Sequence, residues 1–166
     1  MGLDMYLYRR EYVSDWDFKL PDENPKEREM YRSIVEYMGA DKLPHSPTAH
    51  IELCVAYWRK ANAIHGWFVN TLADGVDECQ PINVDREDLQ SLHRACNNVL
   101  MAPAGIKMED VAATYGLLPT RGFFFGSDAM DEWYMEDLKN TMMQIEVVLA
   151  TVPDDRFTDF VYQASW

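Results

Sequence analysis

Residues 2–9, Gly-Leu-Asp-Met-Tyr-Leu-Tyr-Arg, alternate in polarity. Leu3, Met5 and Leu7 fall on one side, and Asp4, Tyr6, Tyr8 and Arg10 on the other. That pattern predicts a strand with an apolar back and a polar-aromatic front. Residues 157–165 alternate again, so the chain is expected to start and finish on strands that lie side by side. Between them, residues 14–24 read as loop. Asn24-Pro25 then offers an N-cap with proline at the first helical position. The helix it opens runs to about Met38, with Met30, Ile34 and Tyr37 inward and Gly39 as the stop. Leu43–Pro47 is a stiff connector, and Ser46 and Pro47 are expected to start a central helix ending near Leu72. At about 100° per residue, Ile51, Cys54, Trp58, Ala61, Asn62, His65 and Val69 share one side of it. Tyr57, Ile64, Trp67 and Phe68 cover much of the rest, leaving Glu52, Arg59 and Lys60 as a thin polar strip. A helix apolar nearly all round is covered on several sides, which predicts that Trp58 and Trp67 are both buried.

Asp74-Gly75 is a turn, and residues 76–84 suit a short strand that Pro81 confines to a sheet edge. Asp85 caps a helix from about Arg86 to Met101, with Leu89, Leu92, Cys96 and Val99 on its stripe and His93 at the border. A short helix, about Met108 to Tyr115, ends at Gly116. Phe123-Phe124-Phe125 suits a brief strand between Gly122 and Gly126. Ser127 or Asp128 is expected to cap the last helix, whose inner stripe is Tyr134, Leu138, Thr141, Ile145, Val148, Leu149 and Val152, with Pro153 as its stop. Strands at both ends with helices between them give an α+β fold. The terminal strands form a small mixed or antiparallel sheet packed on the central buried helix, with further amphipathic helices. The 166 residues suit a single globular domain.

Composition narrows the classes. The formal net charge is −13, which argues against direct binding of nucleic-acid backbones. General solubility is the simplest account of that acidity; docking on a basic partner and DNA mimicry are sharper ones. Cys54, Cys79 and Cys96 are odd in number and far apart, which fits neither a disulfide framework nor a zinc site and suits a reducing cytoplasm. No apolar stretch approaches the ~20 residues that span a bilayer, and the alternating start does not resemble a secretory signal.

Three constellations carry candidate chemistry. Asn62 and His65 sit one turn apart with Trp58 beside them; the amide can read a base or ribose edge, the imidazole can meet a phosphate, and the indole can stack. The structural alternative is that both polar groups tie neighbouring backbone to the helix. Thr120-Arg121-Gly122 with Gly126-Ser127 could present backbone N–H groups and a guanidinium to an anion, or simply be a turn; GxxxxGK[ST] and GxGxxG are absent. Asp4 and Tyr6, with Tyr8, face the same way as Gln163 and Ser165 if the terminal strands pair, and a carboxylate among tyrosines could orient a hydroxyl or act as a base. The alternative there is an ordinary sheet face, with Tyr162 and Trp166 in the core. No HExxH, Ca2+ loop or GxSxG appears, and Asp154-Asp155 reads as a turn.

The chain resembles a family of small phage and bacterial proteins in several of these segments: Met1-Gly2-Leu3-Asp4-Met5-Tyr6-Leu7 at the start, Lys60-Ala61-Asn62-Ala63-Ile64-His65 followed by Trp67-Phe68, Gly122-Phe123-Phe124-Phe125-Gly126 before Asp131-Glu132-Trp133-Tyr134, and the tail Tyr162-Gln163-Ala164-Ser165-Trp166. Ala102–Gly116 and Leu20–Pro47 match less well. The resemblance implies a phage-type accessory protein and supplies no activity.

The expected function is therefore to hold a small polar ligand, a nucleotide or nucleotide-derived signal, without turnover, in the host cytoplasm. The expected ligand-binding set is Trp58, Asn62, His65, Arg121, Gly122, Asp4, Tyr6 and Gln163, with no catalytic residue, metal or cofactor. The alternatives are an acidic inhibitor of a host enzyme and a nucleotide-processing enzyme with His65 or Asp4 as acid/base. No direct nucleic-acid or membrane partner is expected, and the oligomeric state stays open.

Overall fold

The computed structural model describes residues 2–14, 25–154 and 158–166. Among them are four strands and five helices: β1 (Asp4–Val13), α1 (Pro25–Tyr37), β2 (Ala49–Arg59), α2 (Asn62–Leu72), β3 (Ile82–Val84), α3 (Arg86–Leu100), α4 (Met108–Thr114), α5 (Glu132–Thr151) and β4 (Thr158–Ser165). The strands form one antiparallel sheet in the order β2-β1-β4-β3. The terminal strands are thus neighbours in an α+β fold, as expected, and β3 takes a sheet edge, but it is confined to Ile82–Val84, leaving residues 76–80 and Pro81 outside the strand. Ile82, Asn83 and Val84 stand opposite Tyr162, Val161 and Phe160.

Backbone contacts group the chain into two compact units, Met1–Arg9 with Cys54–Trp166, and Arg10–Leu53. The boundaries fall within β1 and β2. In the larger unit one apolar core joins Leu3, Met5 and Leu7 of β1, Ala56 and Trp58 of β2 and Phe160, Tyr162 and Ala164 of β4 to α2, α3 and α5. Every residue of α2 from Asn62 to Val69 is buried, so the central-helix expectation holds for this stretch. α5 runs mainly along α3 and also touches α2. In the smaller unit, α1 ends at Gly39, whose φ of 66° supplies the left-handed stop. Val13 and Tyr31 are buried in this unit, and the Tyr31 hydroxyl donates to the Pro47 carbonyl at 2.7 Å.

Several expectations need correction. Residues 49–59 are a strand, not the first half of the central helix. Ala56 and Trp58 point in while Tyr57 and Arg59 point out, and the β-branched and aromatic residues here suit a pleated surface. Lys60 then turns the chain into α2 through a left-handed backbone with φ 59°. Trp58 and Trp67 are both buried as expected, but on different elements. Tyr37 is exposed rather than inward. Phe123–Phe125 form a turn closed by the Phe125 N–H on the Gly122 carbonyl at 3.1 Å, not a strand. The cap of α5 is Asp131, not Ser127 or Asp128: its Oδ1 accepts the N–H groups of Trp133 (3.0 Å) and Tyr134 (3.2 Å). Residues 15–24, including the Asn24 cap and most of the 14–24 loop, lie outside the described residues, as do Asp155 of the Asp154-Asp155 turn and position 157 of the last strand.

Candidate ligand cavity beside the central helix

The two polar side chains of α2 are both committed inside the protein. Asn62 Nδ2 donates to the carbonyls of Phe125 (3.1 Å) and Ser127 (2.7 Å), and its Oδ1 accepts from the Thr120 N–H at 3.2 Å. One amide therefore pins the 120–127 loop to the helix. Gly66 allows the close approach, since a Cβ there would lie 2.1 Å from Thr120 Oγ1. His65 lies between Tyr162 Oη (2.7 Å from Nδ1) and Asp77 Oδ2 (3.0 Å from Nε2). A carboxylate only accepts, so the consistent tautomer has Nε2–H donating to Asp77 and Nδ1 accepting the Tyr162 hydroxyl proton. Burial first, and the Asp77 charge second, push the Tyr162 phenol well above its ordinary range. It stays a donor at any physiological pH.

The remaining expected residues are dispersed. Trp58 is walled into the core, its Nε1–H on Thr141 Oγ1 at 2.9 Å, and offers no face for stacking. Arg121 is exposed and bonds Asp128 at 2.7 Å. Gly122 lies against the Phe125 ring, 2.6 Å from a would-be Cβ. Asp4 accepts a short hydrogen bond from the Tyr57 hydroxyl, and Tyr6 packs on the rings of Tyr8 and Tyr57 on the outer sheet face. Gln163 donates to the Cys79 carbonyl at 3.2 Å. No described contact draws these eight residues into a single site.

What the larger unit does hold is a cavity of about 320 Å3, lined among others by Arg59, Lys60, Asn62, Ser127, Trp133 and Asp137. Its size lies at the lower end of the roughly 300–1,000 Å3 usual for small-molecule sites. The Lys60 turn makes one wall. Its N–H donates to the Leu3 carbonyl and its carbonyl accepts the Asn62 N–H, both at 2.8 Å. A left-handed non-glycine backbone is strained by about 1–3 kcal/mol. Gly126 lies beside the lysine stem, and its own φ of 91° is the left-handed backbone that favours glycine there. The first turns of α5 make the opposite wall. Trp133 and Asp137 stand four residues apart and so share a helix face. The Trp133 side is 79% exposed, while Tyr134 is buried with its hydroxyl on the Leu117 carbonyl at 2.9 Å.

Asp137 is the anomalous group. Its carboxylate is half-buried, and among the described residues it has no hydrogen-bond or ion-pair partner. Burial, then the charges of Asp131 and Glu136, push its pKa up to about 6. Its backbone carbonyl is used, accepting from Thr141 Oγ1 at 2.7 Å, which fixes the turn that presents it. Cationic side chains line the same cavity and an uncommitted carboxylate sits inside it, so the site can accept both an anionic group and a hydrogen-bond donor.

Sequence reading missed Lys60, Trp133 and Asp137. A signal for Asp137 existed: it falls between Tyr134, Leu138 and Thr141 on the inner stripe of α5, where a charge is out of pattern. The Lys60 turn had no comparable signal. No described group of three or more His, Cys, Asp or Glu side chains could hold a metal ion. No described helix is long and apolar enough to cross a membrane.

No protein-family model, curated protein or solved structure matches this chain.

Proposed function

We propose that this protein binds and sequesters a nucleotide or nucleotide-derived signal in the Lys60–Asp137 cavity. The carrying observation is the meeting, in about 320 Å3, of an exposed indole, two cationic side chains and a half-buried uncommitted carboxylate. Trp133 offers a stacking face, Arg59 and Lys60 offer charge to a phosphate, and Asp137 offers an acceptor to a base edge. Asn62 contributes by fixing the Ser127 wall, since both of its amide N–H donors and one Oδ1 lone pair are already committed. The strong negative charge of the chain opposes anion capture at long range. Binding therefore rests on these two local cations and is expected to weaken with salt.

Holding, rather than converting, the ligand fits the chemistry at hand. Ser127 Oγ accepts the Ala129 N–H, with no described base beside it. The Cys96 thiol is buried and pushed up to about 12, far from activation. In a phage-type accessory protein of the host cytoplasm, such capture would lower the free level of a host signal, a step that rests on analogy. Titration calorimetry of the purified chain with nucleoside monophosphates tests the reading. Binding is expected, with at least a tenfold loss in Lys60→Glu and with the nucleotide recovered unchanged by mass spectrometry. Absence of binding by every nucleotide tried, or conversion of the ligand, would contradict it.

A further inference from the structure

We infer that the cavity selects guanine among the common bases, with the base stacked on Trp133 and its two adjacent N–H donors on the Asp137 carboxylate. This rests on the nucleotide reading above. An ionised carboxylate is an acceptor with two oxygens side by side. Its matching edge carries two neighbouring donors. Guanine has that edge in N1–H and the exocyclic N2–H. Adenine and cytosine each pair one exocyclic donor with a ring-nitrogen acceptor, and uracil sets one ring N–H between two carbonyls. Any of these three would turn a lone pair against one carboxylate oxygen.

The placement of Asp137 makes a reader of it rather than a structural charge. Structural carboxylates of this chain have partners. Asp131 caps α5, Asp77 holds His65, Asp88 Oδ2 accepts the Asp85 N–H at 2.8 Å, and Asp128 pairs with Arg121. Among the described residues Asp137 has none, although Arg59 and Lys60 line the same cavity. It also stands one helical turn from Trp133, so a ring on the indole is carried towards the carboxylate. Bidentate, charge-assisted bonding of this kind discriminates between bases by about 10–100-fold.

The test is calorimetric titration of the full chain and of Asp137→Asn with GMP, AMP and XMP at neutral pH. The wild type is expected to prefer GMP to AMP by about 10–100-fold. The asparagine keeps one acceptor and gains a donor, so the variant is expected to lose the GMP preference and favour XMP, whose C2 carbonyl replaces the guanine amine. Equal wild-type affinity for GMP and AMP, or a GMP preference unchanged in Asp137→Asn, overturns the guanine inference and leaves the nucleotide site standing. No binding of any of the three overturns both.

Discussion

Two polar centres flank α2, and they are built on opposite terms. At the His65–Tyr162–Asp77 and Asn62 centre, every side-chain donor and acceptor of the helix meets a partner within the chain. At the Lys60–Asp137 cavity, a backbone is held in a left-handed conformation and a carboxylate is half-buried without a partner among the described residues. The first arrangement is what stability requires, because a buried polar group left unpaired costs about 1–3 kcal/mol. In the second, the Lys60 backbone is strained although both its polar groups are bonded, and the Asp137 carboxylate costs stability without a bond to any described residue. Groups held at such cost mark functional sites more often than structural ones. In this chain the buried histidine, the residue type most associated with chemistry, belongs to the closed centre.

Substitutions at the two centres should therefore act with opposite sign. The largest effect is expected from Asn62→Ala, which strands two carbonyls and one N–H together and should cost about 3 kcal/mol in chemical denaturation. A loss under about 1 kcal/mol would mean that the 120–127 loop does not depend on the amide. Tyr162→Phe removes only the donor to His65 Nδ1 and is expected to cost about 1–2 kcal/mol. At the open cavity, Asp137→Asn should stabilise. The Asp137 pKa lies above its ordinary value in the folded state, so the folded protein binds the proton more tightly than the unfolded chain. The resulting stabilisation is complete below about pH 4 and is lost as pH rises through about 6. At neutral pH the carboxylate is charged and costly. After discounting for the part that water still screens, removing it should gain about 1 kcal/mol, and the gain should vanish at pH 4. Trp133→Ala is expected to change stability by less than about 0.5 kcal/mol, as an exposed position should. A larger loss would assign that indole to packing.

The legible part of the fold was the part written in simple periods. Leu3, Met5 and Leu7 announced β1, Leu89, Leu92, Cys96 and Val99 announced α3, and β3 lies at a sheet edge as expected, though it is shorter. The error over 49–59 came from a stretch rich in residues that satisfy either period. Ile51, Cys54, Trp58 and Ala61 line up on a helix, yet Ala56 and Trp58 also alternate as a strand. What decided the matter was the left-handed turn at Lys60, a residue with no intrinsic preference for that conformation. The site was legible only in part. Asn62 and His65 were recognised as buried polar groups needing partners, but one sequence cannot tell an internal partner from a ligand. Trp58 drew attention for its indole, which the strand buries. Trp133, whose indole is exposed, carries no periodic signal of its own. Asp137 was legible as a charge out of pattern beside the apolar stripe of α5, but nothing in the sequence tied it to Lys60.

The most direct test of an open cavity is the Asp137 pKa itself, followed by carboxyl 13C chemical shifts with and without saturating GMP. A value near 6 is expected in the free protein. On binding it should fall by at least about one unit, because two donors on the ionised form stabilise it. A free value close to the ordinary 3.8, or one near 6 that GMP at saturation leaves unmoved, would contradict the account.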